Sequence, residues 1–354
     1  MDDAATARRL VCLALASDPA LEVVGTAANG RQALDRLDSL RPDAVILDLE
    51  MPVLDGFQTL AELRRLHPRL PVVIFSSLTA RAAAATLDAL ALGANDYVTK
   101  PRGGSFEASL RHAREELVPR LRALCAPRHL AGAPPAGAPP GSAPIARVRR
   151  GGRPSHVEVV AIATSTGGPN ALAAILPQLP ADFPVPILIV QHMPPLFTAH
   201  LAERLAARCA LPVAEGVAGE ILRPGAVRIA PGDWHMEVRR AGVEVRLELH
   251  QGPLENSCRP SADVLLRSVA EVYGSGVLAV VLTGMGQDGL RGSAEVLRAG
   301  GRVVAQDADS SAVWGMPRAV VRAGLAEAVL PLGEIGPEIA RRALHGRRGG
   351  EAAA

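Results

Sequence analysis

The sequence predicts an α/β protein made of two doubly wound domains, each built on a mainly parallel sheet. Three observations predict it. Apolar runs that end in polar or charged side chains alternate with amphipathic stretches, as buried parallel strands alternate with the helices that cover them. A tract containing only alanine, glycine, proline and serine, residues 131–144, interrupts that pattern. After it the strand–turn–helix sequence starts again, and a length of 354 residues suits two domains.

In the first half, Asp2 and Asp3 precede a helical stretch. Residues 43–48 (DAVILD) read as a buried strand closed by the acid Asp48. Residues 70–75 (LPVVIF) form a second strand, followed by Ser76 and Ser77, and Tyr97 to Thr99 a third, followed by Lys100. An acid, a hydroxyl and a lysine thus stand at the carboxyl ends of three successive strands, where open α/β sheets gather their ligand chemistry. Lys100 is the only lysine among 38 basic residues. Arginine serves everywhere else, so this position asks for a compact point charge on a flexible stem rather than a planar fork. Carboxylates gathered beside it suit a magnesium ion. Taken singly, each acid is a surface charge or a helix cap; together with the lysine they describe a phosphorylation pocket.

These pieces make positions 1 to about 115 resemble a two-component receiver domain: Asp2-Asp3, Asp48 followed by Met51-Pro52 and Asp55-Gly56, Ser76, and Lys100-Pro101. The resemblance implies Asp48 as phosphoacceptor and a Mg2+ ion held by Asp3 and Asp48 with Asp2 assisting. It implies Ser76 and Lys100 as contacts of the phosphoryl group. It also implies a flavodoxin-like sheet of strand order 2-1-3-4-5, in which an apolar first strand runs straight into the acidic pair. Here Met1 takes that place, where the family has a valine or similar residue, so the first strand is missing from the sequence as written. Its two neighbours would lack ladder partners, at about 1–3 kcal/mol for each unsatisfied buried group, against a total stability of about 5–15 kcal/mol. An upstream in-frame stretch encoding an apolar strand of about five to eight residues is therefore expected. Mass spectrometry of the native N-terminal peptide tests it.

Composition bounds the rest. Hydrophobic residues at 48% are ample for true cores, and aromatics at 3% make those cores aliphatic. A net charge of +2 supports neither a nucleic acid nor a membrane surface as partner. Cys12, Cys125, Cys209 and Cys258 are scattered, with no C-x-x-C pair, and read as buried thiols of a reducing compartment. Without a signal peptide or a long apolar run, the chain is expected to be soluble, cytoplasmic and monomeric. The organisation read from composition is a first domain over 1–120, a linker over 121–156, a second domain over 157–345 and a disordered tail over 346–354. The linker's arginines, Arg147, Arg149, Arg150 and Arg153, read as a solvated tether rather than a nucleic-acid arm. Helical spacing from Phe106 to Leu124 gives the last helix of the first domain and an extension.

In the second half, residues 157–163 (VEVVAIA) run into Thr164-Ser165-Thr166-Gly167-Gly168-Pro169, then an amphipathic helix from Asn170 to Leu179. Strand, glycine-rich turn and helix also describe a dinucleotide cradle, but the G-x-G-x-x-G spacing and its distant acid are missing. The other reading is a nucleophile turn that raises Ser165 beside backbone N–H groups. A serine nucleophile needs a base, and the base an orienting acid. Residues 185–190 (VPILIV) form a strand ending in Gln191-His192, and residues 277–282 (VLAVVL) one ending in Thr283-Gly284-Met285-Gly286-Gln287-Asp288-Gly289. Ser165, His192 and Asp288 therefore follow the carboxyl ends of three parallel strands. A single strand-end histidine is usually structural, and Asp288 alone could cap a helix; the coincidence of the three points to catalysis. Trp234 to Arg239 and Val243 to Leu249 suggest a β-hairpin.

The order Ser…His…Asp departs from that of α/β-hydrolases. What residues 157–343 do resemble is the catalytic domain of the CheB family of chemotaxis methylesterases. The resemblance lies in Ser165-Thr166-Gly167-Gly168, Gln191-His192-Met193-Pro194-Pro195, Ala230-Pro231-Gly232-Asp233 with His235-Met236, and Arg259-Pro260-Ser261 with Asp263. It continues in Leu282-Thr283-Gly284-Met285-Gly286 with Asp288-Gly289, and in Gly315-Met316-Pro317. It implies hydrolysis of glutamyl methyl esters on chemoreceptor helices, deamidation of selected glutamines, and a chemotaxis histidine kinase as phosphodonor. It implies Ser165, His192 and Asp288 as the triad, with Thr166, Met285 and Arg259 at the oxyanion site and pocket, and no metal there. His235 lies in a motif block and is expected to shape the pocket, while His200 and His250 read as ordinary surface or packing residues. Where the family has Gly-Ala before the serine, this chain has Ala163-Thr164, and a methyl at 163 is expected to tighten or displace the turn. The rival class is a response regulator whose second half binds a partner without catalysis; it would require a broken triad.

Overall fold

The structure, a computed structural model, describes residues 1–101, 103–125 and 156–348, with side chains through Leu344. The chain divides into two units, Met1–Pro127 and Arg128–Ala354. The core of the expected linker, residues 126–155, and the end of the expected tail, residues 349–354, lie outside the described residues.

The first unit runs α1 (Ala5–Leu15), α2 (Gly30–Leu40), β1 (Val45–Leu47), α3 (Gly56–Leu66), β2 (Val72–Ser76), α4 (Ala80–Ala91), β3 (Asp96–Thr99) and α5 (Phe106–Cys125). Its helices begin where local chemistry tells them to. Asn29 accepts the Gln32 N–H ahead of α2, Asp55 and Gln58 form a capping box ahead of α3, and Thr79 accepts the Ala82 N–H ahead of α4. The three strands are parallel in the order β1-β2-β3, pairing Leu47 with Ile74 and Phe75 with Val98. Leu10 and Ala14 of α1 and Leu117 and Leu121 of α5 close over Val73 and Phe75. α5 runs from Phe106 to Cys125, one residue beyond the helix expected from Phe106 to Leu124, with Leu117 and Leu121 buried.

Among the described residues this sheet has three strands. Residues 21–27 have no regular secondary structure. Met1 and Asp2 are bonded to both neighbouring segments: the Met1 ammonium donates to Ile46 O (2.7 Å), Asp48 N–H to Met1 O (2.9 Å), and Asp2 N–H to Ala27 O (3.2 Å). Behind them a cavity of about 420 Å3 is lined by Val11, Leu21, Val23, Ala44, Ile46 and Phe75 among others.

In the second unit come β4 (Val159–Thr164), α6 (Gly168–Ile175), β5 (Ile187–Gln191), α7 (Phe197–Ala206), β6 (Val213–Glu215), β7 (Val227–Ile229), β8 (His235–Ala241) and β9 (Glu244–His250). They are followed by α8 (Ala262–Tyr273), β10 (Val277–Val281), α9 (Leu290–Arg298), β11 (Arg302–Gln306), α10 (Met316–Arg322), β12 (Ala328–Leu330) and α11 (Leu332–Arg348). Seven strands make one parallel sheet, ordered β12-β11-β10-β4-β5-β7-β6, and β8 and β9 form the expected antiparallel hairpin. The order reverses at β4, which has β5 on one side and β10 on the other. That reversal opens a crevice at the carboxyl ends of these three strands. The core is aliphatic: Val159, Ala161 and Ala163 of β4 pack with Leu265, Leu266 and Val269 of α8.

Both tryptophans lie in this unit. Trp314 donates its indole N–H to Gln306 O (3.0 Å), and Trp234, ahead of β8, is 39% exposed. After α6 a short 3-10 turn, Leu176–Gln178, completes the helix expected to Leu179, because Pro177 cannot extend an α-helical ladder. No proline interrupts α11 after Pro337, so the helix reaches Arg348 and takes in the first residues expected as tail. Among the described residues no helix is long and apolar enough to cross a membrane.

Candidate active site and phosphoacceptor pocket

Ser165 follows β4 and His192 follows β5; Thr164 pairs with Gln191, so the two side chains leave adjacent strands at the same level. The serine's backbone is fixed from three sides. Its N–H donates to Thr283 O (3.0 Å), and its carbonyl accepts from Gly168 N–H (2.8 Å) and from Gln191 Nε2 (3.0 Å). The chain then turns through Gly167, at φ 80°, where a Cβ would stand 2.5 Å from the Ala312 Cβ. Only glycine fits there. Ala163 lies one residue inside the end of β4, buried at 1%, with no left-handed backbone. Its methyl therefore does not sit at the break, contrary to the expectation that it would displace the turn. Thr164 donates its hydroxyl to Thr283 O (3.0 Å), which ties β4 to the end of β10.

Asp288 follows β10. Its Oδ2 meets His192 Nε2 at 2.7 Å. An ionised carboxylate only accepts, so Nε2 carries the proton and Nδ1 is the basic nitrogen of the neutral ring. That nitrogen faces the Cys258 thiol at 3.7 Å. Among the described residues no hydrogen bond joins Ser165 Oγ to His192. Burial pushes the His192 pKa down, but the bonds to Asp288 and Cys258 and the charge of Asp288 outweigh it and raise it. Asp288 is desolvated too; the His192 bond and charge, the Ala262 N–H and the Ser261 hydroxyl overcome that and hold its pKa below 3.8.

Asp288 also closes the amino end of α8. Its carboxylate accepts from Ala262 N–H (2.6 Å), Asp263 N–H (3.1 Å), Ser261 Oγ (2.7 Å) and Asn256 Nδ2 (2.7 Å). The side chain of Ser261, the residue in the cap position, donates to Asp288 and makes no cap bond of its own. A negative charge at that end is favoured by the helix dipole.

On the other side of Ser165 a Cβ on Gly284 would lie 2.9 Å from the serine Cβ, so the backbone of 284–285 comes directly against it. The Met285 N–H has no acceptor among the described residues, whereas the Gly284, Gly315 and Met316 N–H groups are all used. Thr166 is buried, and its carbonyl accepts from the Thr283 hydroxyl (2.8 Å). The Arg259 guanidinium is engaged with Asp233 Oδ1 (2.9 and 2.5 Å) and Gly252 O (2.8 Å). It braces the loops around the crevice. His235, buried at 1%, accepts the Ser261 N–H (3.2 Å) and donates to Pro253 O (3.0 Å), joining the hairpin to the start of α8.

In the first unit, Lys100 Nζ lies 2.6 Å from Asp48 Oδ2 and 2.8 Å from Asp2 Oδ2. Carboxylate oxygens of Asp2, Asp3 and Asp48 all lie within 4.8 Å of one another. Asp2 and Asp48 are buried while Asp3 is exposed, a hard-oxygen set that keeps open positions for water and fits a magnesium ion. Burial raises the Asp48 pKa against the pull of Lys100, while the Asp2 and Asp48 bonds raise that of Lys100 against its own desolvation. Ser76 is buried at the end of β2, one strand over from Asp48.

The CheB methylesterase family matches residues 160–339, and the response regulator receiver domain family matches residues 1–106. The chain belongs to the CheB methylesterase family. It is 46% identical over 349 residues to a protein-glutamate methylesterase/protein-glutamine glutaminase of Trichodesmium erythraeum (strain IMS101), covering 97% of each chain. With the protein of the same description from Nocardioides sp. (strain ATCC BAA-499 / JS614) it shares 48% over 351 residues, 97% of this chain and 94% of the relative. The crystal structure of the Thermotoga maritima CheB methylesterase catalytic domain superposes with a TM-score of 0.52 at 43% identity, over 53% of this chain and 99% of that one.

For this CheB chain, sequence reasoning named the residues that follow the strands but missed what holds them. Asn256, which bonds Asp288, lies in a loop with no pattern around it. Its one local sign is that asparagine tolerates the left-handed backbone it adopts, at φ 51°. Cys258 read only as a buried thiol, and its approach to His192 depends on that same loop.

Proposed function

We propose that this protein hydrolyses glutamyl methyl esters on chemoreceptor helices in the cytoplasm, and deamidates selected glutamines there, under control of phosphorylation at Asp48 by a chemotaxis histidine kinase. The observation that carries the reading is the half-buried His192 bonded to the buried Asp288 at the strand-order reversal, with His192 level with Ser165 on the adjacent strand. Ser165 Oγ attacks the ester carbonyl as His192 Nδ1 takes its proton, after that nitrogen exchanges the Cys258 thiol for the serine. The negative oxygen rests on the unpaired Met285 N–H, with Thr166 completing the site. As the ester C–O bond breaks, or the amide C–N bond of a glutamine, the imidazolium gives the proton to the leaving oxygen or nitrogen, which departs as methanol or ammonia. Water, deprotonated by the same nitrogen, then releases the carboxylate and regenerates Ser165. Asp288 stays ionised throughout and fixes the tautomer.

In the receiver, Asp2, Asp3 and Asp48 would hold magnesium, whose charge offsets that of the phosphoryl oxygens. Lys100 supplies the compact positive charge beside Asp48, and Ser76 a hydroxyl. Methanol release from methylated receptor membranes tests the whole reading. The expected result is release that rises on adding a small phosphodonor; no release with either form of the protein would overturn it.

A further inference from the structure

Asp288 is not the only carboxylate buried at this end of the sheet. Asp263, in the first turn of α8, is 1% exposed, against 2% for Asp288. Two such carboxylates repel, and one is driven to take up a proton unless donors hold both charges. Asn256 stands between them. Its single Nδ2 donates to Asp263 Oδ2 (2.8 Å) and to Asp288 Oδ1 (2.7 Å), so each hydrogen of one neutral amide goes to a different acid. Only Asn and Gln offer two donors on one uncharged nitrogen.

The loop around Asn256 is built to keep it there. Glu255 and Cys258 exchange both backbone hydrogen bonds (3.2 and 2.9 Å), closing a tight turn over Asn256 and Ser257, both left-handed. Glu255 is gripped through both oxygens by Arg267 of α8 (2.6 Å each), so the turn is tied to the helix that carries Asp263. Asp263 in turn accepts the Gly292 N–H of α9 (2.6 Å). Burial and the charge of Asp288 raise the Asp263 pKa against the pull of the Gly292 and Asn256 bonds.

We propose that Asn256 is a positioning residue of the triad: its amide holds Asp288 Oδ1 beside Asp263, which leaves Asp288 Oδ2 aimed at His192 Nε2–H and Nδ1 free to act as base. This rests on the triad reading above. Without Asn256, Asp288 Oδ1 keeps its bonds from Ser261 Oγ and the Asp263 N–H but loses the one donor it shares with the Asp263 carboxylate. The two acids then face each other unshielded, and an imidazole misaligned by the resulting shift transfers protons slowly even when substrate still binds.

The test uses the full chain with Asn256→Ala and Asn256→Ser, the second keeping one donor. Two readouts are needed: methanol release, split into kcat and KM, and the His192 titration followed by NMR, which does not require turnover. Expected for Asn256→Ala are a kcat lower by about tenfold or more with KM within about twofold, and a His192 pKa displaced toward its ordinary value. Asn256→Ser should fall between the two in both readouts. A wild-type kcat with an unmoved titration would overturn the proposal. So would a loss confined to thermal stability while kcat and titration hold. If the wild-type chain itself releases no methanol, the esterase reading fails, and a displaced His192 titration in Asn256→Ala still supports the clamp.

Discussion

Ser165→Ala should abolish methanol release while phosphoryl uptake at Asp48 continues, because the two chemistries are built on separate sheets; retained turnover in a release assay would sink the nucleophile. His192→Ala should be as severe, and combining the two should add nothing, since triad members act as a unit. The pH dependence follows from the direction of the His192 shift. The base works only when deprotonated, and its pKa is raised from 6.5, so kcat should climb with pH beyond that value. Asp288→Asn removes the charge that raises it, and the inflection should move back toward 6.5 at a much lower rate; a pH–rate profile of both proteins checks this. Lys100→Arg keeps the charge in the receiver but brings a planar group to a site where Nζ reaches two carboxylates within 2.8 Å. Activation by a small phosphodonor should weaken, with basal turnover unchanged.

At the scale of elements, α8 has its amino end closed by a side chain from the loop after β10. Asp288→Ala should therefore unfold more easily than Ser165→Ala, by about 1–2 kcal/mol for a lost cap, read by denaturant unfolding of the full chain. Because the Asp288 pKa is lowered in the folded state, this contribution is present above about 3.8 and lost as pH falls through the lower folded value. This double use also shows where the sequence was legible. β4, β5 and β10 are five or six residues long and wholly buried, so they stand out as apolar runs, and the residues after them were found with them. β6, β7 and β12 have three residues each, too few to carry a period, and none of them was seen. The Asn256 clamp and the approach of Cys258 to His192 come from loops meeting across the fold, and spacing along the chain does not encode such meetings. Arg259 was assigned to the pocket from its motif, yet its bonds go to Asp233 and Gly252.

At the scale of the molecule, each unit has its own sheet and its own buried core. A fragment spanning residues 156–354 should accordingly fold and hydrolyse methyl esters at a rate indifferent to phosphodonors. A fragment that is folded by circular dichroism but inert would show that the receiver contributes to the site. The distribution of aromatic residues has a practical corollary. The receiver contains no tryptophan, and the second unit holds both: Trp314 is bonded to Gln306, and Trp234 adjoins Asp233, the residue that Arg259 grips. Selective tryptophan excitation of the intact chain therefore illuminates the hydrolase alone. Any change in that emission when a phosphodonor is added originates in the unit that is not phosphorylated, so communication between the two can be timed without attaching a label.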